Sequence, residues 1–295
     1  MNKILSVAGR LYPILPQLLR RTRFRSSRQD DDRCVSKYRT TWLSLIFTGL
    51  MGMTCLSRAD VADILPTIKP GVVGVGTFHP TRSPRAGLMG TGFVVGDGKH
   101  VVSCAHIFNG ILDTEKNETW VVLTGRDRQV TVRPATMVAR DNDHDLILLK
   151  IDGEALPVVK LAQTDSVREG SQLYFTGYPL GSILGLNPST HRAGLAAIVP
   201  IYTPVPHASQ LNLRTLKQAQ APFEIYELDS IAYPGNSGSP VWNPDTGEVI
   251  GVVNSVFVKG AKETALTAPS GISYAIPVKF VRDLLRQAGI EPAKP

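Results

Sequence analysis

At 295 residues the chain has room for one two-lobed globular unit behind a leader, and a hydrophobic content of 43% fits a folded protein rather than a disordered or fibrous one. The formal net charge of +7 is concentrated at one end: residues 1–39 carry ten Lys and Arg against three Asp, whereas from Asp60 onward 21 basic residues face 22 acidic ones. A nearly neutral body leaves no electrostatic footprint for nucleic acid, so no nucleic-acid partner is expected.

The basic arm runs into an uncharged apolar stretch, Trp42 to Leu56, which ends at Ser57-Arg58-Ala59. A positive flank, a short apolar run and a small-x-small site read as a secretory signal cleaved before Asp60. The alternative is an uncleaved anchor that attaches the protein to the inner membrane, facing the periplasm, with the arm held in the cytoplasm. Short β-rich runs follow at 71–78, 90–95, 101–104, 119–124, 130–138 and 145–151, enough to close one lobe. A second set falls at 172–176, 192–202, 224–228, 239–242, 249–258 and 272–276. Pro277 then opens a segment whose apolar residues Val278, Val281, Leu284, Leu285 and Ile290 recur at helical spacing. The predicted fold is all-β, two six-stranded antiparallel barrels with a C-terminal helix. The boundaries are 1–59 for the leader, 60–160 for the first barrel and 161–295 for the second. Residues 81–88 and 203–222 read as mobile, and the second of these is a candidate lid over a cleft.

The chemistry concentrates in three places. Gly235-Asn236-Ser237-Gly238-Ser239-Pro240 places a hydroxyl where small residues let the N–H groups of Gly235 and Ser237 converge on one carbonyl oxygen. A serine needs a base at neutral pH. Of six histidines, His79, His100, His144, His191 and His207 have loop-type neighbours and read as solvated. His106 differs, because the hairpin formed by 90–95 and 101–105 around Gly96-Asp97-Gly98-Lys99 delivers it at a strand end. The third group is a carboxylate that fixes the imidazole tautomer. Asp145 is chosen over Asp141 and Asp143 because it abuts the apolar run Leu146 to Ile151. Beyond the leader, which holds Cys34 and Cys55, the one remaining cysteine is Cys104. It reads as a packed small residue without a disulfide partner, and as a thiol nucleophile only in a minor alternative. No His, Cys and carboxylate cluster shows ligand spacing, so neither a metal nor any other cofactor is expected.

His106, Asp145 and Ser237, in that order and in these surroundings, resemble the chymotrypsin-like (trypsin-like) serine peptidases, and most closely their bacterial HtrA/Deg and glutamyl endopeptidase branches. Val101 through His106, Asp145 through Lys150, and Asp229 through Pro240 are similar to the family's histidine, aspartate and serine motifs. Gly177-Tyr178-Pro179-Leu180-Gly181, Gly247 through Val252 and Gly271 through Pro277 match further segments, and the resemblance covers about residues 65–290. It implies a serine endopeptidase acting on exported or unfolded polypeptides, in the periplasm or secreted. A PDZ-like module is not expected within the chain.

Departures from the family pattern refine the expectation. Asn236 stands where trypsin-type enzymes hold the aspartate that pairs with a new N-terminus, so activation by such cleavage is not expected. Val253 replaces the histidine of glutamyl endopeptidases, which argues against glutamate specificity. Ile231, six residues before Ser237, implies an apolar pocket floor and a preference for apolar side chains before the scissile bond. Asn254, Ser255 and Val256 are expected to offer an edge to an extended substrate. The competing reading is a peptide-binding or chaperone-like module whose oxyanion loop is collapsed at rest. The sequence fixes neither the oligomeric state nor the substrate.

Overall fold

The computed structural model describes residues 60–126, 129–181, 185–201, 222–254 and 271–292. The chain divides into two units, Met1–Ser57 and Arg58–Pro295, and all the described residues belong to the second. The leader, residues 203–221 of the candidate lid and the edge residues Ser255 and Val256 lie outside the described residues.

Asp60 opens a helix that is not among the predicted elements. It is α1 (Val61–Ile68), capped by the Asp60 carboxylate, which accepts from the Ala62 N–H at 3.1 Å. Ile68 is buried, while Val61, Ile64 and Leu65 pack against the core.

Among the described residues twelve strands then form two closed antiparallel barrels. The first contains β1 (Val72–Phe78), β2 (Ala86–Val95), β3 (His100–Cys104), β4 (Thr119–Arg126), β5 (Gln129–Asp141) and β6 (Leu146–Ile151), closed in the order β1-β2-β3-β6-β5-β4. The second contains β7 (Gln172–Gly177), β8 (Ser189–Pro200), β9 (Glu224–Asp229), β10 (Pro240–Trp242), β11 (Val249–Val253) and β12 (Ile272–Pro277), closed in the order β10-β11-β12-β9-β8-β7. In β3 and β6 the register Val101↔Leu149 and Val102↔Leu148 pairs residues with no exposed surface. Strands buried on both faces need continuous apolar runs rather than alternation, and the sequence supplies them.

Pro277 caps α2 (Val278–Gln287), whose buried residues Val278, Val281, Leu284 and Leu285 form one stripe. This helix packs on β5 and β6 of the first barrel and on β11 and β12 of the second. It thereby ties the two lobes together.

Several local expectations are corrected by tertiary packing. His100 is no solvated loop residue: it starts β3, is buried, and its Nδ1 lies 2.8 Å from Asp97 Oδ1. His191 lies within β8, stacked on Phe175 with ring centroids 4.8 Å apart, and burial pulls its pKa down. Residues 81–88 are pinned, not loose. The Arg82 guanidinium donates to Thr77 O at 3.0 Å and to Glu118 Oε1 at 3.2 Å, and β2 already begins at Ala86.

Candidate active site

His106 sits in a short 3-10 turn, Ala105–Phe108, immediately after β3. Asp145 closes that turn from the other side. Its carbonyl accepts from the Ala105 N–H at 3.0 Å, and its Oδ1 accepts from the His106 N–H at 2.8 Å. Its Oδ2 lies 2.6 Å from His106 Nδ1 and also accepts from Asn254 Nδ2 at 2.7 Å. Asp145 itself is not in a strand; it ends the turn before β6 with φ of 57°, a left-handed conformation that Asp tolerates better than most residues. A carboxylate can only accept, so facing Asp145 Oδ2 the Nδ1 atom carries the ring hydrogen. The Nε2 lone pair is then left to face Ser237 Oγ, 3.2 Å away.

Ser237 is presented by the segment between β9 and β10. Asn236 N–H donates to Tyr233 O at 2.9 Å, closing a turn with Pro234 and Gly235 at its centre. Gly235 has φ of 97°, so Pro-Gly here makes a type II turn, which demands a left-handed residue in the third position. The carbonyl of Pro234 accepts from the Leu180 N–H at 2.7 Å. Because the peptide is trans, the Gly235 N–H points away from Leu180. On the other side, Thr91 of β2 donates through Oγ1 to Gly235 O at 2.7 Å and accepts from the Tyr178 N–H at 3.0 Å, while its own N–H donates to Ser237 O at 2.9 Å. Gly238 N–H is held by Val253 O at 2.9 Å. The loop that carries Ser237 is therefore bound to both barrels, and Ser237 keeps 4% of its surface exposed.

A model of the trypsin-like peptidase domain matches residues 90–252, more than half of the chain. The chain belongs to this peptidase family. A probable periplasmic serine endoprotease, DegP-like, from Pseudomonas savastanoi pv. phaseolicola is 24% identical over 242 residues, covering 81% of this chain and 42% of the relative. A protein of the same description from Halomonas elongata is 27% identical over 200 residues, covering 68% and 35%. The chain thus spans about two fifths of the length of such curated relatives. Among solved structures, the serine endoprotease from Yersinia pestis aligns with a TM-score of 0.53 at 20% identity, over 78% of this chain and 66% of that one. The active form of the Rv3671c protease from M. tuberculosis aligns with a TM-score of 0.55 at 20% identity, over 77% and 85%. These likenesses establish the shared two-barrel fold.

Within this peptidase domain the structure brings together His106, Asp145, Ser237 and Gly235. The Asn254 side chain is fully buried against Asp145, a contact its sequence surroundings do not signal, and its N–H donates to Tyr274 O at 2.9 Å. Ile231 is half-buried, on a segment held by Ser273, whose Oγ donates to Ser230 O at 2.6 Å and accepts from the Ala232 N–H at 2.7 Å. Thr91 is a residue that sequence reasoning missed. Its position inside the Gly90-Thr91-Gly92 motif marks it only once the second barrel is docked.

Cys104, His106 and Asp145 donor atoms fall within 4.8 Å of one another, a clustering invisible in the sequence spacing. They do not fit a metal ion. Burial first, and then the negative charge of Asp145, push the Cys104 thiol well above its ordinary range, so the thiolate a metal requires is disfavoured. The thiol is engaged by Val253 O at 3.3 Å, and each Asp145 oxygen already accepts from protein donors.

Across the described residues no helix is long and apolar enough to cross a membrane.

Proposed function

We propose that this chain is a serine endopeptidase working through His106, Asp145 and Ser237. The supporting observation is the His106 ring, bonded at 2.6 Å to Asp145 through Nδ1 and at 3.2 Å to Ser237 Oγ through Nε2. In this reading Nε2 takes the Ser237 proton as Oγ attacks the substrate carbonyl, and Asp145 holds the ring and stabilises the imidazolium. The C–O bond that forms makes a tetrahedral oxyanion, stabilised by the N–H groups of Gly235 and Ser237. His106 then gives its proton to the leaving amine as the C–N bond breaks, and water, deprotonated by the same nitrogen, hydrolyses the acyl-enzyme.

The type II turn at Tyr233 to Asn236 favours this reading over a peptide-binding module with a collapsed oxyanion loop, since collapse would turn the Pro234 carbonyl off Leu180 and towards the nucleophile. Substrates in this proposal are flexible or unfolded stretches of exported polypeptides, with an apolar residue before the scissile bond lodged near Ile231. The site of action is the periplasm or the exterior; the names of the DegP-like relatives place those proteins in the periplasm. A fluorophosphonate tests the chemistry: wild-type protein should be labelled at Ser237 and His106→Ala should not. Absence of labelling in the wild type under every condition tried would reject the proposal. N-terminal sequencing of the protein recovered from the cell envelope tests export, with Asp60 expected as the first residue; recovery of an intact leader in the cytosol would reject it.

A further inference from the structure

His144 precedes Asp145 and plays no part in the proton relay, yet it is tied down from three directions. The Asp141 carboxylate grips it twice, accepting from the His144 N–H at 3.0 Å through Oδ1 and lying 2.6 Å from His144 Nδ1 through Oδ2. Burial opposes the charged form of Asp141. The hydrogen bonds from the His144 ring and backbone and the proximity of that ring outweigh it, so the carboxyl sits below its usual range. One face of the imidazole is stacked on Phe280 of α2, with centroids 3.7 Å apart and planes 19° apart. Phe223, just ahead of β9, meets it edge-on at 4.5 Å and also packs on Phe280 at 5.2 Å. A solvated turn needs none of these contacts. Asp145, by contrast, is a non-glycine residue in the left-handed region, and such a conformation persists only where its surroundings over-determine it.

We propose that His144 is a positioning residue for Asp145, its ring joining the turn that carries the acid to α2 and to the base of β9. The carboxylate of Asp145 is fixed at its far end by His106 and Asn254, and its carbonyl is held by the Ala105 N–H; His144 anchors the turn immediately before it. Since α2 spans both barrels, the setting of the acid depends on the docking of the second barrel as well as on the first.

The proposal rests on the peptidase reading and is tested with two readouts on the full chain. In wild-type protein the His106 Nδ1 proton, held at a short distance from Asp145, should give a far-downfield NMR resonance. In His144→Ala that resonance should shift or broaden in the folded fraction, and fluorophosphonate labelling should slow about ten-fold or more, the effect expected of a small misplacement of a catalytic group. His144→Phe, which keeps the stack and the backbone bond to Asp141 but loses the ring bond, should recover part of both, and Phe280→Leu should reproduce the loss. An unmoved resonance together with wild-type labelling in folded His144→Ala would overturn the proposal. So would losses in His144→Ala and Phe280→Leu that merely track the unfolded fraction, with the resonance of the folded protein unchanged. Failure of the wild type to label would count against the peptidase reading alone, because the resonance still reports whether His144 sets Asp145.

Discussion

Replacing Gly235 with alanine puts the oxyanion assignment at risk in a single substitution. The residue has φ of 97°, and a Cβ added to it would lie 2.3 Å from Tyr178 O, a backbone atom that no rotamer change can move aside. An alanine in the left-handed region costs roughly 1 to 2 kcal/mol. The easiest escape is rotation of the Pro234–Gly235 peptide, converting the type II turn to type I and giving up the Leu180 to Pro234 hydrogen bond, worth about 1 kcal/mol. That rotation carries the residue 235 N–H away from the nucleophile. Loss of one oxyanion donor costs about 2.7 to 4 kcal/mol in the transition state, or roughly 100- to 1,000-fold in rate. Fluorophosphonate labelling should therefore fall by that factor, while urea denaturation shows a far smaller loss. Gly170→Ala is the control. Its φ is 81°, an added Cβ meets nothing within 4 Å, and it should show the backbone penalty without slower labelling. If Gly235→Ala were labelled as fast as the wild type, or Gly170→Ala lost as much, the oxyanion reasoning would be refuted.

Other consequences are open to measurement. Asn254→Ala removes a buried hydrogen bond to an ionised carboxylate and should lower stability by about 1.5 to 3 kcal/mol, with slower labelling; a neutral denaturation profile would contradict the contact. Asp145→Asn should leave the fold intact yet slow acylation by about four orders of magnitude, since the ring tautomer is no longer fixed; labelling near the wild-type rate would exclude Asp145 as the acid. Asp141 is held below the usual range in the folded state, so its charged form contributes stability above its unfolded value of about 3.9, and that contribution is lost as pH falls through the lower folded value. The stability gap between wild type and Asp141→Asn should be widest near neutrality and close in acid, whereas a pH-independent gap would show that the charge is not involved. Cys104, buried and with its thiol pushed up, should resist alkylation in the native protein and react in denaturant, as read by mass mapping of its peptide.

What could be read from the sequence was whatever local pattern encodes. The Gly96 to Lys99 hairpin, the apolar run after Asp145 and the glycines around Ser237 each carry their structural meaning within a few residues, as does Pro277 at the start of α2. Contacts made only by docking were not legible. Asn254 lies 109 positions from Asp145 and reads as a strand-edge residue until both are buried together. Thr91 reaches Gly235 across 144 positions. His144 looks like a solvated turn residue because nothing nearby in the chain announces Phe280 or Phe223. The helix at Val61–Ile68 was hidden differently, by Pro66 and by its position next to an apparent processing site.

In the proposed relay the base and its acid come from one barrel and the alcohol from the other, so neither half alone would contain a working reaction centre. On that proposal a nascent or partly denatured chain would lack the means to cut its neighbours. Competence would then wait until both halves have matured and joined, which would build protection against self-digestion into the order of assembly.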